Sequence, residues 1–474
     1  MSSPNNSPPS YGTDGAAPPV LPIVASQLQI IFEWVGLLPL VIYLAGTGLS
    51  HRLVGQTALA GFISVSLFPR LGVLDSVAAF LREGADFLDR ASSISELRRT
   101  VWDASFGSVF PCANGAASDI LTKHVIRTAD DIEIPDNLAE LADAYAAGPN
   151  TDGGQGEDAD SEGVEDDAKR DAKTAVSGSQ FRRYQTLYIL DCTVDAGKRN
   201  VKKPGPSATW SSIFFETLFL LGLLGCCAVA VLFGLYGTAA AIIISAVFRV
   251  TRLSINVVTP PGYLENNEPG QVGGYMLVAL HENSSTWYLY RGSRAVIDGL
   301  LNKPMILGIT ARPNTAVALT LRALALLQLI TMTYVAAQKG WDGVGLLALI
   351  VVAWTLDYVL YNDDKLAATW LKREHVTMKA WRCQFSGRTA MLGAIQLLKD
   401  GAVSSWMDQI LAPSDRREAW LKSLPLDRPD FNMSESKDTL KEKEEDNQRW
   451  VKNNWLLTRA AVNAIRICTG EGAV

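Results

Sequence analysis

Residues 213–248 read IFFETLFLLGLLGCCAVAVLFGLYGTAAAIIISAVF, and their only charge is Glu216. One α-helix of this length would reach about 54 Å, whereas the hydrocarbon core of a bilayer is about 30 Å thick. Two complete spans need about 40 residues, so a turn at residues 234–237 fits if the second helix continues to about residue 258. The stretch therefore predicts a pair of transmembrane helices.

Two other apolar blocks extend this pattern. Residues 27–49 hold one charge, Glu33, and the link between the apolar runs 316–337 and 344–361 is too short for anything but a helical hairpin. The mean hydropathy is +0.11 although 19% of the residues are charged, which requires the apolar residues to be concentrated in blocks. We therefore predict an α-helical polytopic membrane protein with about five transmembrane helices and a small mixed α+β cytosolic domain.

Lysine and arginine residues flank the predicted spans almost entirely on one side. A bias of this kind in the segments next to the spans marks the cytosolic face. The flanking basic residues are Arg52, Lys198, Arg199, Lys202, Lys203, Arg249, Arg252, Arg312, Lys365, Lys372 and Arg373. We therefore predict a multi-pass protein of the plasma membrane or an endomembrane, with its N-terminus outside or lumenal and its C-terminus cytosolic. Asn5, in the sequence Asn5-Asn6-Ser7, then becomes an N-glycosylation site.

The predicted spans divide the chain into consecutive segments. They are a noncytoplasmic disordered N-terminus (1–26), the first helix (27–49), a cytosolic helical region (50–145), a disordered acidic linker (146–180), a cytosolic strand region (181–211), helices 2 and 3 (212–258), a cytosolic β-hairpin region (259–315), helices 4 and 5 (316–361) and a cytosolic helical C-terminal region (362–474). The linker is too acidic and too poor in large apolar residues to fold by itself. A calcium-binding EF-hand is the alternative, but counting from Asp158 places Lys169 where such a loop needs its twelfth-position glutamate.

The predicted cytosolic domain has its clearest signal in two short runs rich in β-branched and aromatic residues. Residues 275–281 and 286–291 are joined by a polar four-residue turn, which predicts a β-hairpin. Because an isolated hairpin is marginally stable, we expect it to pair with a strand at residues 187–192. A helix at about 437–468 is expected to dock on its own chain, with a partner protein as the alternative. Tryptophan prefers interfaces where one ring edge is hydrated, so the tryptophan-bearing helices of the C-terminal region are expected to lie against the bilayer or the cytosolic domain.

Ionisable residues inside the predicted spans are candidates for function, because burying a charge in hydrocarbon is costly. Arg322 and Asp357 lie near the cytosolic ends of two antiparallel helices, and we expect them to form an intramembrane ion pair. The sequence DYVLYNDD at 357–364 also resembles the aspartate pairs that hold magnesium diphosphate in membrane prenyl-transferring enzymes. No second aspartate motif accompanies it, and the histidines and cysteines show no metal-ligand spacing. We therefore predict no catalytic residue, no metal site and no cofactor.

Two further segments resemble sequences of a known kind. Residues 291–304 contain RGSR followed by DGLLNKP, and residues 406–413 read WMDQILAP. With the span pattern, they are similar to uncharacterised multi-pass membrane proteins of filamentous fungi, and the resemblance implies a fungal accessory protein of the plasma membrane or an endomembrane. By their charges, we expect Arg291, Arg294 and Lys303 to form a basic patch facing anionic lipid headgroups, each contributing ~1 kcal/mol. A solvated loop is the alternative.

These expectations favour a non-enzymatic accessory or scaffold protein whose cytosolic domain binds a protein partner. The lipid bilayer is the other expected partner, a homo-oligomer is a further expectation, and no nucleic acid is expected. A transporter or channel subunit that works as an oligomer is one alternative. The other is a membrane-embedded enzyme that acts on a lipophilic substrate, with Asp357, Asp363 and Asp364 as metal ligands.

Overall fold

The computed structural model describes most of the 474-residue chain. The described residues are 29–44, 49–63, 68–69, 71–92, 98–147, 184–194, 210–266, 273–338, 340–360, 362–401, 403–427, 429 and 441–470. They belong to two compact units, each assembled from separated parts of the chain. The first unit lies within Met1–Ala91, Val201–Thr259 and Ile306–Leu366, and the second lies within Ser92–Asn200, Pro260–Met305 and Ala367–Val474.

The elements are numbered here in chain order. The helices are α1 (Gln29–Leu44), α2 (Leu49–Ala60), α3 (Leu71–Glu83), α4 (Ala85–Ser92), α5 (Gly115–Val125), α6 (Leu138–Ala147), α7 (Trp210–Leu232), α8 (Tyr236–Arg252), α9 (Arg294–Leu301), α10 (Asn314–Gln338), α11 (Trp341–Leu360), α12 (Asp363–Glu374), α13 (Arg388–Leu398), α14 (Asp415–Ser423) and α15 (Lys441–Thr469). The strands are β1 (Thr100–Asp103), β2 (Val109–Pro111), β3 (Asp130–Ile132), β4 (Gln185–Val194), β5 (Ile255–Val258), β6 (Gly273–Ala279), β7 (Thr286–Ser293), β8 (Gly308–Ala311) and β9 (Val376–Phe385).

The second unit is built on a seven-stranded mixed sheet with the order β2-β1-β6-β7-β4-β9-β3. Strands β6 and β7 form an antiparallel hairpin, and β7 runs parallel to β4 with Leu187 opposite Trp287. The predicted hairpin and its pairing with the strand near residues 187–192 are therefore confirmed. The sheet extends further than the sequence indicates, because β9 pairs with the other edge of β4 and β1 pairs with β6.

Tryptophans fill the core of the second unit. Trp287, Trp406, Trp420 and Trp455 belong to one buried apolar cluster that joins the sheet to α13, α14 and α15. The C-terminal helices pack against the sheet, which is one of the two positions expected for them, but Trp406 and Trp420 are fully buried and keep no hydrated ring edge. A large aromatic ring contributes more apolar area to a core than any other side chain. Helix α15 adds Ile465 to the same cluster, which confirms that it docks on its own chain.

The first unit is mainly helical. Helix α3 packs along α10, α7 packs along α8, and α1 packs along α11. Its core includes Ala241, Val335 and Ile350. Helices α1 and α11 approach closely where a Cβ atom on Gly343 would lie 2.9 Å from the Cα atom of Gly36. Two short strands, β5 and β8, complete the unit as an antiparallel ladder.

The predicted polytopic membrane fold is wrong. In the part of the chain that the structure describes, one helix, Asn314–Gln338, is long and apolar enough to cross a membrane. The apolar segments Thr217–Leu232 and Trp341–Leu356 are shorter than a crossing requires. Helices α1 and α8 have 16 and 17 residues, which at 1.5 Å per residue gives about 24–26 Å. Hydropathy counts an apolar residue in the same way whether it faces lipid or a neighbouring helix, so it overestimated the number of spans.

The predicted localisation is wrong for the same reason. A multi-pass topology with an outer N-terminus and a cytosolic C-terminus required five crossings, and a large unit built on a mixed sheet does not fit it. The glycosylation site at Asn5 lies outside the described residues, as does the predicted acidic linker from residue 148 onward. The predicted division of the chain into consecutive segments stays a prediction.

Candidate functional site

The first unit carries a concentration of exposed apolar side chains. Among the described residues, all but six of the exposed large apolar side chains belong to this unit. The six in the second unit are Phe106, Tyr184, Leu280, Val403, Leu426 and Ile467. Scattered exposed apolar residues are ordinary in folded proteins, whereas large contiguous apolar patches are typical of binding surfaces.

We refer to the exposed apolar side chains of five helices in the first unit as the apolar surface. They are Trp34, Leu37, Leu38 and Val41 of α1; Leu218, Leu221, Leu224, Val229, Val231 and Leu232 of α7; Ile243, Val247 and Val250 of α8; Leu319, Leu326, Leu327, Leu329, Ile330 and Tyr334 of α10; and Trp341, Val351, Val352, Trp354, Tyr358 and Val359 of α11.

Helix α10 shows how this surface arises. Leu321, Leu324 and Val335 are buried, whereas Leu326 and Ile330 are exposed on another face of the same helix. A surface helix of a globular protein normally turns a polar face to water. Helix α10 is instead apolar on both faces, and only 33% of its most apolar window is buried. Its outer face is therefore suited to an apolar partner.

Aromatic side chains are exposed near the junction of α10 with α11 and toward the other end of α11. Tyr334 lies near the end of α10 and Trp341 begins α11, while Trp354 and Tyr358 lie in the last two turns of α11. Tryptophan and tyrosine are enriched where hydrocarbon meets water, because their rings are apolar and their polar groups stay hydrated. The aromatic residues therefore match the boundary of an apolar phase.

A buried carboxylate connects α11 to α8 inside the first unit. Asp342 accepts hydrogen bonds from the backbone N–H groups of Gly237 at 2.6 Å and Thr238 at 2.7 Å, and from the Thr238 hydroxyl at 2.6 Å. These N–H groups belong to the first turn of α8, where a helix has no internal acceptor for them. The carboxylate therefore caps α8 from a neighbouring helix, which is a structural role.

A cavity of about 320 Å³ opens between α3 and α10. It is lined by Ala78, Arg82, Asn314, Thr315, Ala318, Leu319 and Arg322. The Asn314 side chain donates to the carbonyl of Leu81 at 3.0 Å, which holds the start of α10 against α3. Arg322, one member of the predicted intramembrane ion pair, therefore lies on a cavity wall. The side chain of its predicted partner Asp357 lies outside the described residues, so that ion pair stays a prediction.

The basic residues predicted to bind lipid headgroups do not form an exposed patch. Arg291 is buried and pairs with Asp191 at 3.3 Å, between neighbouring strands β7 and β4. Arg294 is 6% exposed. Lys303 donates to the backbone carbonyl of Glu265 at 2.7 Å. The sequence shows the spacing of these bases but not their burial, which is why the patch was expected at the surface.

Arg294 instead forms the centre of a buried charge network in the second unit. Its guanidinium pairs with Asp103 at 2.7 Å and with Asp298 at 3.0 Å. Lys399 donates to the carbonyl of Ala104 at 2.6 Å. Burial lowers the pKa of Lys399 to about 8, and the charge of Asp103 opposes that shift. The network joins β1, α9 and the end of α13, and removing one partner would leave a charge buried without its counterion.

The aspartates of the enzyme hypothesis have other partners where the structure describes them. Asp363 accepts hydrogen bonds from Gln56 at 2.8 Å and from Arg52 at 3.3 Å. Within the described ranges, no group of three or more His, Cys, Asp or Glu side chains could hold a metal ion. The side chain of Asp357 lies outside the described ranges. A magnesium site that includes Asp357 belongs only to the enzyme alternative, and the described partners of Asp363 give it no support.

Comparison with known proteins adds no assignment. No family model, curated protein or solved structure matches this chain. A function for this chain is therefore proposed from the geometry of the first unit.

The sequence did contain a signal for the two apolar faces of α10. Leu319 and Leu326 lie on a different side of the helix from Leu321 and Leu324, and all four residues are apolar.

Proposed function

We propose that the protein is a non-enzymatic accessory or scaffold protein that binds a lipid bilayer through the apolar surface of its first unit. The observation that carries this proposal is the concentration of exposed leucine, isoleucine and valine side chains in one unit. Removing such a side chain fully from water is favourable by about 1.5–3 kcal/mol. The proposal concerns a contact surface and does not depend on how many helices cross the bilayer.

The chemistry of the apolar surface favours lipid over a protein partner. Residues 217–248 contain no charged side chain, whereas protein interfaces have a polar rim and about one hydrogen bond per 100–200 Å². Lipid acyl chains require no such groups. The exposed aromatic residues at the α10–α11 junction and toward the other end of α11 support the same choice, because such residues are typical of the boundary between headgroups and hydrocarbon.

The second unit supplies the proposed scaffold role. Its tryptophan-rich core joins the sheet to the C-terminal helix, and its exposed large apolar side chains are few among the described residues. Buried ion pairs such as Arg294 with Asp103 favour one arrangement of the surrounding elements. We propose that this unit holds a protein partner at the lipid surface to which the first unit binds.

Flotation of the full chain with vesicles tests the proposed lipid binding. The chain is synthesised in the presence of phosphatidylcholine vesicles, and we expect it to rise with them through a density gradient. The variant L326K/I330K places two charges on the outer face of α10. We expect its binding to be at least about tenfold weaker, because a charged side chain is costly to place in hydrocarbon.

The variant L280K/I467K is the matched control, since Ile467 of the second unit is 68% exposed and Leu326 is 59% exposed. It should float like the unchanged chain, and circular dichroism of both variants checks that each has folded. Equal loss of flotation in the two variants would contradict the proposal, as would an unchanged chain that does not float. A stable dimer that forms without lipid and is broken by L326K/I330K would show a second copy as the occupant instead.

A further inference from the structure

The cavity between α3 and α10 has two arginines on its walls. Its volume of about 320 Å³ is at the lower end of the range found for small-molecule sites. Arg82 and Arg322 line it together with the small apolar residues Ala78 and Ala318. A site of this composition suits a small anionic group that is attached to an apolar chain.

Leu319 connects the cavity to the apolar surface. It lines the cavity and is itself exposed, and Leu326 and Ile330 follow it on the same face of α10 at intervals of seven and four residues. A ligand whose charged end occupies the cavity can therefore extend its apolar part along this face. A small hydrophilic anion would leave the apolar walls without a partner.

The charges around the cavity favour an anion. No acidic side chain occurs among the described residues that line it. The nearby Glu83 is shared, because Arg82 pairs with it at 3.0 Å and Arg90 pairs with it as well. The hydrogen bond from Arg82 lowers the pKa of Glu83, so this group stays ionised at neutral pH. Glu83 is thus shared between two guanidinium groups, and Arg322 adds a further positive charge at the cavity.

We propose that this cavity binds the phosphate headgroup of an anionic phospholipid, with the acyl chains lying along the apolar surface. Guanidinium groups bind phosphate oxygens through paired N–H donors, which makes arginine well suited to this headgroup. The inference rests on the proposed lipid binding, because it names the lipid class that the first unit prefers.

Flotation with two vesicle compositions tests the headgroup site. One set of vesicles contains phosphatidylcholine alone, and the other contains phosphatidylcholine with phosphatidic acid. We expect the unchanged chain to bind the acidic vesicles more tightly. The variants R82Q and R322Q should each reduce that preference by about fivefold, while their binding to phosphatidylcholine alone stays the same.

The matched control is R52Q. The two arginines are alike in exposure and pairing. The Arg52 side chain is 58% exposed and pairs with Asp363, and the Arg82 side chain is 55% exposed and pairs with Glu83. We expect R52Q to keep the preference for acidic vesicles. An equal loss in R52Q, no loss in R82Q and R322Q, or full competition by inorganic phosphate would each overturn the headgroup site. If the unchanged chain does not bind vesicles of phosphatidylcholine alone, the proposed function is contradicted, and this inference with it.

Discussion

Asp342 places a buried carboxyl group inside the helical first unit, where it accepts three hydrogen bonds from Gly237 and Thr238. Nothing in the sequence singles this residue out, because it lies in the short link between two apolar runs and looks like an ordinary polar turn residue. Its partners are about a hundred positions earlier in the chain. A role that depends on such a distant partner has no local signal in a single sequence.

The variant D342A tests this capping role. It removes the acceptor for two backbone N–H groups in a buried place, so we expect the free energy of unfolding to fall by about 2–3 kcal/mol. Denaturant unfolding followed by circular dichroism measures the change. D75A is the control, since Asp75 is an exposed aspartate of the same unit. A loss in D342A no larger than that in D75A would show that the hydrogen bonds do not stabilise α8.

Of the two ion-pair partners of Arg294, only one can be identified from the sequence. Its partner Asp298 lies four positions later on the same helix, a spacing at which opposite charges commonly pair. Its other partner, Asp103, lies on β1 and could not be identified without the fold. The predicted headgroup patch rested on the charge of Arg294 alone. Because Asp103 and Asp298 pair with this charge, the side chain lies in the interior instead.

Among the elements, the β6–β7 hairpin was the most predictable, because its two strands and their turn are contiguous in sequence. Its parallel pairing with β4 was also anticipated, since a two-stranded hairpin needs a further partner. The pairing of β9 with the other edge of β4 was not anticipated. The sequence of β9 alternates polar and apolar residues, which is a local signal for a strand, but it lies in a region rich in helices and nothing local identifies β4 as its partner.

Gly292 provides a test of the β4–β7 pairing. Its φ angle is +107°, in a region that glycine adopts and other residues rarely do, and a Cβ atom there would collide with the carbonyl oxygen of Cys192 on β4. We expect G292A to lower the free energy of unfolding by about 2 kcal/mol or more. G273A in the same hairpin is the control, because the nearest atom to its added Cβ would be 3.9 Å away. Similar unfolding curves for the two variants would contradict the close approach of β7 to β4.

At the scale of the whole molecule, both units are discontinuous in sequence. Consecutive segments read along the chain therefore could not give the architecture, even where individual strands and helices were predicted correctly. The membrane prediction failed at this scale too. Apolar residues that pack α10 and α11 within the first unit were counted together with those on the apolar surface, and only the three-dimensional structure separates the two sets.

The distinction between these two sets also provides the most direct test of the central claim, which is that the apolar surface faces lipid. The full chain is bound to phosphatidylcholine vesicles that contain an apolar photoreactive probe, and the labelled positions are mapped by mass spectrometry. We expect labels on Leu319, Leu326 and Val352, with Leu321 and the tryptophan-rich core of the second unit unlabelled. Labels spread equally over both units, or absent from the outer face of α10, would contradict the account.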